Sequence, residues 1–598
     1  MNDLYTLEGR ELLHQLSDAA ESAPIVPWNV YPRPQLRRDS FFCLNGYWNF
    51  AATRTPELPA DFDRRILVPF APETLLSGVH ERFSEDDFIW YRRSFVLPAD
   101  FMKSATDRVL LHFGAADQTA VVWFNGHKVG EHVGGYEPFY FDITDFLHTK
   151  TTDSASADLQ SPVLHTIDVQ ITDNLSQFVL PYGKQCQKRG GMWYTPTTGI
   201  WQTVWLECVP ASYIRRLKID TGSDYVSITA EGADTGTLIV QTPSGALSAE
   251  LIHGHARLML PSARMWSPED PYLYEFTIDT PSDHISSYFA LRALEVKTVD
   301  GLPRLCLNGR PYFFHGLLDQ GYWSDGLLTP ASPEAFARDI EAMKSLGFNM
   351  LRKHIKIEPE LFYYECDRLG MVVFQDFVNN GDYSFFRDTA LPTIGLLRRS
   401  DRRLHRDAAT REAFEKHMEQ TVRQLYNHPC ICYWTIFNEG WGQFCSSDMY
   451  ARLRALDGSR FIDSASGWFA GGDTDVDSRH VYFRKVKLPR RRRAAVSRPL
   501  VLSEFGGYTW KPEGHVYNTD KTYGYGGYAT REEFVAALRS LYMEQVLPLI
   551  PQGLCAAVYT QVSDVEDETN GLYSFDREVL KVQPSEFADV SESLIKSI

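Results

Sequence analysis

Two glutamates carry the chemistry legible in this 598-residue chain. Glu439 follows an apolar and β-branched run, Ile431 to Phe437, and stands in Asn438-Glu439-Gly440. Glu504 ends a second short apolar run, Leu500-Val501-Leu502, and precedes Gly506-Gly507. Each run reads as a fully buried strand whose C-terminal end presents a carboxylate. Trp434, Asn438 and Trp441 flank the first glutamate, and aromatic faces with an amide beside a carboxylate suit a sugar site. Cleaving a glycosidic bond needs one carboxyl held protonated, to assist a poor leaving group, and another held ionised beside an oxocarbenium-like carbon. Like charges brought close push the two pKa values apart, which supplies that division. Two strand-end glutamates therefore suggest glycoside hydrolysis, provided that the fold brings them together.

The elements that must do so lie after residue 300. Strand-like runs there alternate with amphipathic helical ones: Tyr312-Phe313-Phe314; a helix with Phe336, Ile340, Met343 and Leu346 on one face; Asn349 to Arg352; a helix over 361–369; and Met371 to Asp376. A helix over 411–426 precedes the strand that carries Glu439. Arg460 to Asp463, Val481-Tyr482, Leu500 to Ser503 and Leu554 to Tyr559 complete eight β units. Such repeated βα units predict a closed (β/α)8 TIM barrel over 301–598, whose sites form at the C-terminal ends of the strands. On this count Glu439 ends strand four and Glu504 ends strand seven, so both face one mouth.

Upstream, residues 1–210 read as all-β, with alternating segments such as 46–50, 90–96, 109–113 and 120–124, the last before an Asn125-Gly126 turn; a jelly roll is expected. Residues 211–300 form a shorter alternating region whose length suits an immunoglobulin-like β-sandwich. The chain is therefore read as multidomain, with jelly-roll, immunoglobulin-like and barrel domains. The polar stretch 149–161 reads as an exposed loop. Residues 184–198 (KQCQKRGGMWYTPTT) read as an irregular loop that ties the first domain to its neighbour or reaches the rim of a site.

Composition bounds the function. A formal net charge of -17 argues against nucleic acid or an anionic membrane as the main partner. No run of about 18 apolar residues occurs, which argues against a membrane span. The N-terminus lacks a basic segment followed by an apolar one, and the nine cysteines are scattered without zinc-ligand spacing. Reduced thiols and a cytoplasmic location are expected. The basic run Arg490 to Arg493 is read as a solvated loop, with a subunit contact or an anionic aglycone subsite as alternatives.

The motifs NEGWGQ around Glu439 and SEFGG around Glu504, with NGYWNF and WYRRSF in the first domain and WSPEDPYLY in the second, resemble glycoside hydrolase family 2. That resemblance implies Glu439 as general acid/base and Glu504 as nucleophile of a retaining double displacement, with Asn438 on the substrate 2-hydroxyl. It further implies Arg352 as the cation that keeps Glu504 ionised and Tyr482 as a hydroxyl donor to Glu504. Asp376, His315, Asp319 and Trp468 stand at strand ends as candidate sugar contacts. The family's His-Tyr-Pro is absent at His354, which leaves that position without an expected role.

For the substrate, the Asn-x-Lys pair by which β-glucuronidases of the family read a sugar carboxylate has no counterpart in residues 564–573 (DVEDETNGLY), and an acidic loop repels a uronate. The expected activity is thus exo-acting removal of a terminal neutral sugar, β-galactosidase-like. A β-glucuronidase or a furanosidase of the same family is the alternative, and a non-catalytic carbohydrate-binding protein is the alternative of another class. No cofactor is expected. Metal ions serve the well-known β-galactosidases, and Glu566, Asp567 and Glu568 are read here as solvated rather than as metal ligands. A homo-oligomer is compatible with the sequence.

Overall fold

A computed structural model describes residues 4–18, 25–148, 163–391, 401–468, 472–487 and 497–598. The loop at 149–161 and the arginine run 490–493 lie outside the described residues.

In the first region two antiparallel sheets face each other. One has six strands, in spatial order Arg64–Val68, Gly46–Thr53, Phe88–Val96, Leu164–Thr172, Thr119–Phe124 and His127–Val133; the other has Phe41–Cys43, Val204–Val209, Arg108–Phe113 and Phe139–Asp142. Alternation decides which side chains fill the space between them. Ala120, Val122 and Phe124 point inward from one strand, and Trp48 and Phe50 from another, to meet Val109, Leu111, Phe113, Val204 and Leu206. Burying each large apolar side chain contributes roughly 1.5–3 kcal/mol. The second region is antiparallel as well, seven strands between Arg216 and Phe289 around Leu238, Val240, Phe276 and Ile278.

The reading of 1–210 as all-β misses a helix, Leu7–Asp18. Leu12, Leu13 and Leu16 pack it on the core of the C-terminal region. Asp325 holds its start by accepting from the Thr6 amide and hydroxyl at 2.8 and 2.6 Å. Its partner lies more than 300 residues away, so local alternation says nothing of it.

The C-terminal region is an eight-stranded parallel barrel: β1 (Phe314–Asp319), β2 (Met350–Lys353), β3 (Val372–Asp376), β4 (Ile431–Thr435), β5 (Phe461–Asp463), β6 (Asp477–Val481), β7 (Leu500–Phe505) and β8 (Leu554–Tyr559). Neighbours pair in chain order from β1 to β5, and β8 joins β1 to β7 and β6. Across the remaining gap Asp475 exchanges hydrogen bonds with Ile462 at 2.8 and 3.0 Å. Strands β3, β4, β7 and β8 are buried along their whole length, which is why they read as continuous apolar runs. β1 begins at Phe314 rather than Tyr312, because Arg310–Pro311 pairs back with Leu302–Leu307. Among the described residues no helix is long and apolar enough to cross a membrane.

One expected sugar contact belongs to the core instead. His315, near the start of β1, is fully buried against Phe348, with Phe587 and Tyr542 close by, and its Nε2 meets Ser591 Oγ at 3.1 Å. It lies at the end of β1 opposite the mouth, because the strand starts two residues later than the apolar run implies. Burial pushes its pKa from 6.5 down to about 3. Between those values the unfolded chain binds a proton that the folded one refuses, so stability present above pH 6.5 is lost as the pH falls toward 3. At pH 5 this costs about 2 kcal/mol. His315→Leu should therefore lose less Tm than the parent between pH 7.5 and pH 5, measured by differential scanning calorimetry. An equal loss would remove His315 from the acid response.

Candidate active site

Two of the predicted residues converge at the barrel mouth as glutamates on separate strands. Glu504 lies on β7 itself, whereas Glu439 sits four residues past β4, where the chain keeps pairing with the segment after β5: Glu439 N–H donates to Ser466 O at 2.9 Å and Ser466 N–H to Phe437 O at 2.8 Å. Glu439 takes φ +53° and Gly440 +77°, a left-handed turn that is unusual for a side-chain-bearing residue and common at sites where the fold overrides local preference. One oxygen of Glu439, one oxygen of Glu504 and Nδ1 of His480 lie within 4.8 Å of one another.

Glu504 is held from below. Arg352 at the end of β2, with 1% of its side chain exposed, gives Nε and Nη2 to Asp376 at 3.0 Å each. Its Nη1 reaches Glu504 Oε1 at 3.1 Å and Ser503 O at 3.0 Å, and Nη2 also reaches Asn438 Oδ1 at 3.0 Å. Tyr482, the first residue past β6, donates its hydroxyl to Glu504 Oε2 at 2.8 Å. Burial by itself raises the Glu504 pKa; the electrostatic attraction of His480 and Arg352, with the Tyr482 hydrogen bond, outweighs it and holds the carboxyl below the usual carboxylate range. Since the guanidinium only donates, it fixes the Asn438 amide with its oxygen toward Arg352, which leaves the NH2 group to meet a substrate hydroxyl.

The other sugar-contact expectations need correction. Both oxygens of Asp376 accept from Arg352, and one also meets His354 Nδ1 at 2.7 Å, so Asp376 positions the guanidinium. Arg352 likewise acts on Glu504 and Asn438 rather than on the sugar. Asp319 is the counter-ion of buried Lys353, Nζ to Oδ2 2.6 Å, in a cluster with Lys356 and Glu358. Trp468 does stand at the mouth, Nε1 donating to Glu439 O at 3.1 Å with its ring edge-on to His480.

Two contributors, His354 and His480, escape the sequence reading, and a third, the loop 184–198, enters as the rim alternative of that reading. His354 sits on Asp376, and burial pushes its pKa down to about 4, so it is a neutral donor at neutral pH. His480 Nδ1 contacts Glu439 Oε1 at 2.7 Å and Glu504 Oε2 at 3.4 Å. The loop 184–198 enters the barrel mouth: Tyr182 hydroxyl donates to Gly381 O at 2.8 Å, Trp193 packs 4.7 Å from Trp441 and 5.4 Å from Tyr383, and Tyr194 hydroxyl donates to Glu568 at 2.7 Å. The signal available for the last was its pair of aromatics among cations. The acidic loop is not a solvated patch either. Glu566 accepts from Arg189 at 3.1 Å and from Thr195 N–H at 2.9 Å, Glu568 also accepts from Gln561 at 2.8 Å, and Asp564 pairs with Lys581 at 2.7 Å.

A barrel that presents two strand-end carboxylates at this separation, flanked by an amide and aromatic rings, is a glycosidase. Its residues 298–528 match the family model described as "Glycosyl hydrolases family 2, TIM barrel domain", and residues 80–161 match "Glycosyl hydrolases family 2, sugar binding domain". The chain belongs to glycoside hydrolase family 2 and is a glycosyl hydrolase. It is similar to the β-glucuronidase of Sus scrofa, 27% identical over 73% of this chain and 70% of that protein, and to that of Chlorocebus aethiops, 26% identical over 72% and 69%. Its fold is shared with solved structures of a Ruminococcus gnavus β-glucuronidase (TM-score 0.72, 17% identity, 95% of this chain and 99% of that one) and an Eisenbergiella tayi β-galacturonidase (0.65, 18%, 95% and 99%).

Glu439→Gln and Glu504→Gln should each lower kcat by about a thousandfold or more. Tyr482→Phe removes a donor to the Glu504 carboxylate; it should cost about a hundredfold and move the acid limb of the kcat/KM profile to higher pH. An unmoved acid limb would mean that Tyr482 does not tune Glu504.

Proposed function

We propose that the protein is an exo-acting, retaining β-glycosidase that removes a terminal uronic acid, β-glucuronides first. The observation that carries the reaction is the separation of the glutamates: oxygens within 4.8 Å match the spacing of about 5–5.5 Å between carboxyl groups in double-displacement enzymes and leave no room for the water that an inverting enzyme places between them. In the first step Glu504 attacks the anomeric carbon while Glu439 protonates the departing oxygen. In the second Glu439 takes a proton from water, whose oxygen displaces Glu504. The exo mode is supported by Trp193, Trp441 and Tyr383, which wall one side of the mouth with a loop from another domain.

For the sugar, the uronide reading is supported by the β-glucuronidases among its relatives, and the argument from repulsion loses its force because the acidic loop is paired within the protein. Lys184 adds a cation. Its neighbour Gly183 is packed so closely that an added Cβ would lie 3.0 Å from Ile355 O, and its ammonium lies 5.6 Å from the Tyr194 ring. The Lys184 charge is felt by His354 and by Glu568. A cation beside the site suits a carboxylate on the sugar. A neutral hexoside is the second reading, favoured by Glu568, whose burial raises its pKa and lets it share hydrogen bonds with hydroxyls.

The test is hydrolysis of nitrophenyl β-glucuronide, β-galacturonide, β-glucoside and β-galactoside, with Glu504→Gln as blank. Dominant uronide cleavage supports the first reading; cleavage of a neutral sugar with inert uronides overturns it. In the uronide case Lys184→Met should lower kcat/KM for the β-glucuronide by about tenfold or more while the ratio to the β-glucoside collapses, as loss of one charge-assisted contact requires. An unchanged ratio would show that another group reads the carboxylate.

A further inference from the structure

His480 lies between the two glutamates and has no part in the double displacement as described. It is at the end of β6, its side chain is fully buried, and its ring is confined: a Cβ added to Gly467 would lie 2.9 Å from Nδ1, and Trp468 crosses it edge-on at 5.7 Å. Nδ1 faces Glu439 Oε1 at 2.7 Å and Glu504 Oε2 at 3.4 Å, while Nε2 faces Ser466 Oγ at 2.9 Å. A lone pair on Nδ1 pointing at carboxylate oxygens is repulsive, so whenever either glutamate is ionised Nδ1 carries a proton.

The double displacement moves one negative charge between these carboxylates. In the free enzyme Glu504 is ionised and Glu439 carries the acid proton. In the glycosyl-enzyme Glu504 is an ester, and Glu439, having given its proton to the departing oxygen, is the carboxylate. Water then loses a proton to Glu439 and its oxygen displaces Glu504, which restores the first state. We propose that His480 is a positioning residue whose single Nδ1–H donor stands between the two glutamates, shared with Glu504 in the free enzyme and given to Glu439 in the glycosyl-enzyme. The imidazole keeps its proton throughout, so the cycle needs no further acid or base. The donor already touches Glu439 and lies 3.4 Å from Glu504, so passing between them needs little reorganisation.

The surroundings are compatible with this duty. On the Glu504 side stand Arg352 and the Tyr482 hydroxyl, with His354 and Glu568 beyond them; on the Glu439 side the charge is also felt by Tyr525. Behind the ring Ser466 contacts Ser503 and Ser478 at 3.1 and 3.4 Å, and Ser478 donates to Asp463, which also accepts from Tyr433 at 3.0 Å. Among the described residues no lysine or arginine lies within ion-pair distance of Glu439, so His480 is its polar contact of record.

Removing a donor from a carboxylate makes it more basic. Loss of the Nδ1–H group should therefore raise the acid limb, set by Glu504, and the basic limb, set by Glu439, together. The experiment is the pH dependence of kcat/KM on the best nitrophenyl glycoside for the parent, His480→Leu, His480→Asn and Ser466→Ala, each checked for folding by circular dichroism and Tm. The expected result is a bell displaced upward by about half a pH unit or more in His480→Leu, with return toward the parent in His480→Asn, whose amide N–H occupies the place of Nδ1. Ser466→Ala, which frees the ring but keeps it, should move the bell the same way by less, and it carries the test alone if His480→Leu does not fold. A uniform fall in rate with both limbs in place, in His480→Leu or in Ser466→Ala, would overturn the proposal and leave His480 a packing residue.

Discussion

The buried guanidinium of Arg352 is the constraint on which the rest of the site depends. It joins β2 to β3 through Asp376, to β7 through Glu504 and Ser503, and to the segment after β4 through Asn438. Taking a cation out of water costs several kcal/mol, and that cost is offset only where carboxylates and carbonyls meet every donor. Strand register therefore has to be right at four places before the arginine can be buried at all. Once it is, Glu504 is held as a carboxylate and the Asn438 amide beside Glu439 is oriented.

Above this base the mouth is completed by chain that is not part of the barrel. The loop running from Tyr182 to Tyr194 leaves the jelly-roll region, docks through backbone hydrogen bonds on Asn379 and through its aromatic rings on Trp441 and Tyr383, and sets Tyr194 on Glu568. The barrel supplies a rigid pair of carboxylates, as its strand ends do across many chemistries, and the neighbouring domain supplies aromatic walls beside them. The charges of the late acidic loop are absorbed by this same contact, Arg189 on Glu566 and Tyr194 on Glu568.

Much of this was legible in the chain. Fully buried parallel strands have to be apolar along their length, so Ile431 to Phe437 and Leu500 to Leu502 announce themselves, and a charged residue at the end of such a run marks the mouth. Tyr482 and Trp468, read at strand ends, stand at that mouth as well. The same reasoning failed where strand limits shift by two residues: Tyr312-Phe313-Phe314 implied a mouth position for His315, but pairing of Arg310–Pro311 with the preceding hairpin moves β1 along and leaves His315 at the other end. It failed again for Asp319 and Asp376, whose type and strand-end place are those of ligand contacts, while their partners, Lys353 and Arg352, are set by packing.

By itself, then, the sequence determined the order of regions, the closed barrel and the two glutamates, because periodicity and burial are local properties of a chain. Only the tertiary structure decided which polar residues face the substrate and which face each other. His480 lies 41 positions from Glu439 and 24 from Glu504, and Lys184 lies 384 positions from Glu568. No local pattern encodes such distances, and what sets the charge on a carboxylate is the handful of atoms within a few ångströms of it.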